Sequence, residues 1–268
     1  MSSKEPVVQS SNPAFRSLRQ PPGAQQQGAP SAAYLNQMYA RPSVGAPPRE
    51  RFLTLDDVVA KTATVLGVGI VSAVLAMALH LTWSLALPAM IVGLVLSLVV
   101  IFKQSTNPAL ILSYSVAEGV ALGAITGIFE SIPKYAGIGL QALVGTLGVF
   151  AGMLVVYKTG AIRVTPKFTK MLIGAMIGVL VLVVFNLIAG AFGVDTHLRS
   201  GGTLSIIISL VIIVIAALSF LLDFDQIDRA IKVGAPASYA WYAAFGLMVT
   251  MVWLYLEILR LLGNLRNN

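Results

Sequence analysis

Eleven carboxylates decide what chemistry this chain could carry, because it has no cysteine and only two histidines, His80 and His197. The missing cysteines exclude disulfides, thiolate metal sites and thiol nucleophiles. Four carboxylates stand inside or at the edge of strongly apolar stretches: Glu118, Asp223, Asp225 and Glu257. Charge is expensive there, and such groups mark ion or proton paths. Tyr114 and Ser115 precede Glu118 by four and three residues, so on a helix all three share one face. Two readings of Glu118 stand: a protonated acid hydrogen-bonded to a neighbouring helix, or a member of an ion or proton path.

Asp223 ends an apolar run, with Asp225 and Asp228 just after it. Three carboxylates so close attract a hard cation, and Asp225 is a candidate for that. The run lacks the glycine and terminal glutamate of a calcium loop, so no metal site is certain. The alternative for Asp225 and Asp228 is a solvated helix end beside Arg229. Near the C-terminus, Thr250, Trp253, Glu257, Arg260 and Asn264 recur every three or four residues and form one polar stripe. In hydrocarbon such a stripe must face protein or a wet cavity. Glu257 and Arg260 can also simply neutralise each other across adjacent turns.

No HExxH, GxSxG, Walker or GxGxxG-after-strand sequence is present. The serines lack a histidine partner at membrane depth, and Asp223 lacks an aspartate counterpart in another span. The reading is therefore of a protein that is not an enzyme.

The elements that position these groups are membrane spans. Of 268 residues, 57% are hydrophobic and only 11% charged, against about 25% charged in soluble domains. Apolar stretches over 60–80, 85–102, 109–129, 137–157, 171–193, 203–223 and 242–262 each approach the ~20 residues that cross ~30 Å of hydrocarbon. The sequence thus predicts an all-α integral membrane protein, a seven-transmembrane helix bundle over residues 51–268. Thr54 with Asp56 and Asp57 marks the first helix start. His80 to Ser84 is the least defined connection, with Pro88 inside the second helix. Glu118 then lies about 14 Å into its span, near the bilayer centre. Gly119-x-x-x-Gly123-x-x-x-Gly127, Gly148-x-x-x-Gly152 and Gly174-x-x-x-Gly178 allow close helix approach in lipid.

Residues 1–50 hold eight of the thirteen prolines and a Gln25–Gln27 run. That composition cannot form a core, so a disordered cytoplasmic tail is expected there. It is either inert or partner-binding. The net charge of +7 lies in the tail and loops without interleaved aromatics, which argues against nucleic acid and for a membrane-orientation signal. With the N-terminus inside, fourteen Lys and Arg fall on the cytoplasmic side and four on the other. The positive-inside rule then places the C-terminus outside.

Ser115-Val-Ala-Glu118-Gly-Val-Ala-Leu-Gly123, Leu222-Asp223-Phe-Asp225-Gln-Ile and Trp253-Leu-Tyr-Leu-Glu257-Ile-Leu-Arg260-Leu-Leu resemble the Bax inhibitor (transmembrane Bax inhibitor motif, YccA-like) family. The likeness covers roughly residues 50–265 and is nearest to its bacterial branch. It implies a central seventh helix wrapped by two layers of three. It also implies a pH-sensitive calcium leak of the bacterial plasma membrane, gated by a carboxylate pair between the sixth and seventh helices. By motif position that pair is Asp223 and Glu257, with Glu standing where the family pattern has Asp. If the hairpin turns near Gly234, Phe245 is level with Asp223 and Glu257 lies about 18 Å further on, at about the depth of Glu118. Both an Asp223–Glu257 and a Glu118–Glu257 pairing therefore stay open, with the second favoured. Glu118, Asp223, Glu257 and Arg260 are the expected ion path or pH sensor, since two coupled carboxylates can share a proton. No cofactor is expected beyond calcium as a permeant ion. The expected partners are the lipid bilayer and, in an alternative reading, a membrane-embedded protein. In that alternative the chain is a non-conducting regulator that docks on a quality-control protease.

Overall fold

The computed structural model describes residues 51–81, 83–193 and 202–267. The expected tail over 1–50 and the connection carrying Asp195, His197 and Arg199 lie outside the described residues. Seven helices follow in order: α1 Leu55–Ala78, α2 Trp83–Lys103, α3 Pro108–Glu130, α4 Ile138–Thr159, α5 Pro166–Ala191, α6 Gly202–Lys232 and α7 Tyr239–Asn267. All seven are long and apolar enough to cross a membrane. Among the described residues no strand forms, and the chain is a seven-helix membrane bundle.

Local chemistry fixes the helix starts. Thr54 and Asp57 form a capping box on α1, satisfying orphan N–H groups of the first turn. Asn107 caps α3 and Thr165 caps α5, each followed by Pro108 or Pro166 at the first helical position. Proline belongs there because that N–H has no partner anyway. Pro88 lies inside α2.

Helix α7 is the centre. It packs against α1, α3, α4 and α6, and each of the three apolar core clusters takes residues from it: Leu247 and Leu254, Phe245 and Met248, and Leu259. By contrast α2 buries only Ala86, Gly93 and Val100, and α5 only Leu172 and Val179. These two are outer helices, wetted by lipid along most of their surface.

Of the three glycine motifs, one is a crossing. A methyl group at Gly119 would meet Gly69 O at 2.3 Å, and one at Gly123 would meet Ala73 O at 2.2 Å. Only hydrogen fits where α3 presses on α1. Gly148, Gly152, Gly174 and Gly178 have nothing within 4 Å of the same position, so the motifs of α4 and α5 hold no helix here. Spacing alone does not say which face a motif turns inward.

The sixth helix departs from its expected end. The apolar run stops at Leu222, but α6 continues for ten more residues to Lys232. Asp225 pairs with Arg229 at 2.7 Å and Asp228 with Lys232 at 2.5 Å, both one turn apart. Phe224 and Ile227 stay buried on the other side. Hydropathy marks where hydrocarbon ends, whereas i,i+4 ion pairs and an apolar stripe carry the helix on. Asp223 is thus an interior helical residue and not a helix end.

The α6–α7 connection is held by the segment before α1. Leu53 N–H donates to Ala235 O at 2.8 Å and Ala237 N–H to Arg51 O at 2.8 Å, making an antiparallel bridge between Phe52 and Pro236. Pro236 sits at the position of the pair whose own N–H makes no cross-bond, so its missing donor costs nothing. Gly234, at φ +70, closes α6: Ala235 N–H reaches Ala230 O and Gly234 N–H reaches Ile231 O. That is the Schellman arrangement, which needs a left-handed residue.

Candidate functional site

Three neighbouring polar residues of α3 serve three different helices. Tyr114 stacks edge-on against Phe245 of α7, with ring centroids 4.9 Å apart. Ser115 donates to Val65 O of α1 at 2.6 Å. Glu118 turns to α2, where a methyl group at Gly93 would meet its Oε2 at 2.6 Å. Gly93 therefore makes the room that lets a carboxyl group lie between α2 and α3.

Asp223 meets α7. The Thr250 hydroxyl donates to Asp223 Oδ2 at 2.8 Å. Ser219, one turn earlier on α6, is buried and donates to Ala216 O. Thr250, and not Phe245, is thus the residue level with Asp223. The midpoint of the hairpin shifts because the chain does not turn tightly at Gly234 but runs extended through Ala235–Ala237 against residues 51–53.

Glu257 lies seven residues beyond Thr250 on α7, two helical turns or about 10 Å along the axis. Its side chain is 2% exposed, and its Oε2 accepts from Arg260 at 2.8 Å, while the Arg260 side chain keeps 35% exposure. Seven residues further, Asn264 donates to Ser205 Oγ of α6 at 2.8 Å. Thr250 and Asn264 both bond α6, and Glu257 shares their phase, because a heptad returns almost to the same face. On α6, Ser205, Ser209, Ser219 and Asp223 share one face at multiples of three and four residues and the three serines are buried. The two helices therefore meet along a polar seam: Ser205–Asn264 at one end, Glu257–Arg260 in the middle, Asp223–Thr250 at the other.

This arrangement separates the favoured Glu118–Glu257 pairing. Tyr255, two residues before Glu257, bonds Thr126 of α3 at 2.7 Å. Two residues turn a helix by about 200°, so α3 lies on the side of α7 away from Glu257. Equal depth was the basis for pairing them, and it does not hold: the Tyr114–Phe245 and Thr126–Tyr255 contacts set Glu118 level with about Met248, nine residues or about 13 Å from Glu257. Asp223 and Glu257 do share an interface, two turns apart, without a direct bond. Arg260 is where the stripe spacing put it, beside Glu257.

Asp225 is bound to Arg229 on the face of α6 beyond the seam. Among the described residues no group of three or more His, Asp or Glu side chains converges as a metal site would. Two polar contacts were not anticipated: the α6 serine stripe, whose spacing in the sequence does signal it, and Glu130. The Glu130 Oε1 accepts from Gly139 N–H at 3.0 Å and so caps the start of α4 from α3, a contact no local pattern announces.

No curated protein gives a significant match to the chain. A family model described as Bax inhibitor 1 like matches residues 12–267, nearly the whole length. With seven spans, a central α7 and acidic groups on α3, α6 and α7, the chain belongs to the Bax inhibitor 1 like family of multi-pass membrane proteins.

Proposed function

We propose that the chain is a passive, pH-sensitive cation leak, for calcium or protons, in a bacterial plasma membrane, with the α6–α7 seam as its path. The observation that carries this reading is the Thr250–Asp223 bond standing on the same α7 face as Glu257 and Asn264. A carboxylate and hydroxyls along a helix interface supply the oxygen ligands that replace a cation's hydration shell. Protonation of Asp223 removes its charge and turns a group that only accepts hydrogen bonds into one that also donates. The contact with Thr250 that joins α6 to α7 then changes together with the attraction for a cation. Arg260 is a positive charge at mid-seam, which opposes cations except while Glu257 neutralises it. No step in this scheme is chemical catalysis, and the chain acts as a conductor and not as an enzyme.

A second reading has its own support. Among the described residues the α5 helix packs chiefly on α6, and Gly174 and Gly178 on it meet nothing within 4 Å. Small residues on an outer helix suit close approach by another membrane protein. In this reading the chain is a non-conducting regulator docked on a membrane-embedded partner such as a quality-control protease. Calcium and proton flux into liposomes holding the purified full chain separates the two. Flux above that of empty liposomes, varying from acidic to neutral pH, supports the leak. Background flux at every pH supports the docked regulator.

A further inference from the structure

A groove outside the carboxylate seam points to a ligand. It has a volume of about 300 Å³ and lies between α1 and α4, floored by α3 and α7. Ile70 and Val74 form one wall, Leu140 and Leu147 the other, and Gly123 and Met251 lie at its floor. The four wall residues are exposed, so the groove opens toward the hydrocarbon and not into the bundle. Neither Glu118, Asp223 nor Glu257 lines it.

Its length is that of one leaflet. Along α1 the lining runs from Leu66 to Met77 and along α3 from Gly119 to Glu130, twelve residues in each case, or about 17 Å of helix axis. Half of a ~30 Å hydrocarbon core is ~15 Å. The groove therefore occupies the leaflet away from the start of α1 and stops near mid-membrane.

Its few polar groups already have partners. Thr126 donates to Leu122 O at 2.7 Å, so the Tyr255 hydroxyl, 2.7 Å from Thr126 Oγ1, donates to that oxygen. Glu130 accepts from Gly139 N–H, and Thr146 donates to Ala142 O. Nothing in the groove calls for a polar ligand. Apolar cavities of roughly 150 Å³ stay free of water and take up hydrocarbon instead, and ~300 Å³ is the lower end of ligand pockets.

We propose that this groove is a lipid site that holds one acyl chain of a bilayer phospholipid, inserted between α1 and α4 from the leaflet away from the α1 start. The inference is independent of whether the seam conducts.

The test is photolabelling of the full chain in detergent micelles with a small molar excess of a phosphatidylcholine bearing a diazirine on one acyl chain, followed by peptide mapping. In micelles, lipid bound without specificity is diluted by detergent. Label is expected on residues 66–77 and 139–147 at about tenfold the level on the exposed α5 positions Val181 and Leu187. Ala73→Phe and Leu143→Phe fill the groove from opposite walls, and each should lower that label about tenfold while leaving the α5 label unchanged. Equal labelling of the groove and α5 in the wild-type chain overturns the proposal, as does unchanged groove labelling in either folded variant. If both variants fail to fold, the wild-type distribution alone decides.

Discussion

The Thr250 hydroxyl donates to Asp223 Oδ2 at 2.8 Å and so ties the central helix to its longest neighbour. Two turns further along the same face of α7 lies Glu257, which is held by Arg260. The bond thus sets the register of the whole α6–α7 seam. Other contacts hold the bundle together without taking part in it, and the two kinds of contact respond differently to substitution.

The α1–α3 crossing is the tightest backbone contact. Gly123→Ala forces its methyl group onto Ala73 O, and overpacking of this kind costs about 1–3 kcal/mol. Gly148→Ala meets open space and gains about 0.5–1 kcal/mol of helix propensity. In detergent, Gly123→Ala lowers the apparent melting temperature and Gly148→Ala holds or raises it. Equal effects would show that the α3 crossing is no tighter than the α4 surface.

The strap before α1 bears on stability more than the tail does. Leu53 is 3% exposed and belongs to the same apolar core cluster as Phe220, Phe224 and Leu247. Leu53→Ala should cost about 3 kcal/mol, within the range for buried leucines. Deletion of residues 1–50 should leave thermal stability unchanged, since their composition gives no core. Melting curves of both variants check this, and the expected order is a large loss for the single substitution and none for the deletion.

The Glu257–Arg260 pair is asymmetric, with a buried acid and a partly exposed base. Removing Arg260 leaves a carboxylate in a dry site, at a cost of about 3 kcal/mol or more. Removing the acid leaves an arginine that can reach water. Arg260→Leu therefore lowers the apparent melting temperature more than Glu257→Gln does. The reverse order would mean that Arg260 depends on Glu257 for its position.

With seven spans the ends of the bundle fall on opposite sides, and the lysine and arginine bias predicts a cytoplasmic N-terminus and an outer C-terminus. An alkaline phosphatase fused after the last residue should be active, and a fluorescent reporter that matures only in the cytoplasm should be dark there. The opposite pattern would overturn the orientation.

Much of this was legible in the sequence because hydrocarbon imposes length and composition on every span. The seven helices, the Thr54 cap and the polar stripe of α7 all follow from local rules. Helix ends outside the hydrocarbon followed other signals. Thr165–Pro166 announces the start of α5, five residues before the apolar run suggests it, and i,i+4 pairs extend α6 past Asp228. Which carboxylates share an interface was not legible, since that depends on helix rotation. Glu118 and Glu257 differ in both depth and interface, because the Tyr114–Phe245 and Thr126–Tyr255 contacts set Glu118 level with about Met248. The bridge from Phe52 to Pro236 joins residues far apart in the chain, and no local pattern encodes it.

In the proposed leak, Asp223 is the group that makes the seam respond to protons. Asparagine has nearly the shape of a protonated aspartic acid and stays neutral at every pH, so Asp223→Asn fixes the seam in its acid state. Calcium and proton flux should be measured in liposomes across the acidic to neutral range for wild type, Asp223→Asn, Glu118→Gln and Asp225→Asn. Asp223→Asn should be flat across pH, at the level wild type reaches at its acid end. Glu118→Gln changes the profile less, and Asp225→Asn, paired on the outer turn with Arg229, retains the wild-type shape. A wild-type pH profile in Asp223→Asn would contradict a carboxylate gate in the α6–α7 seam.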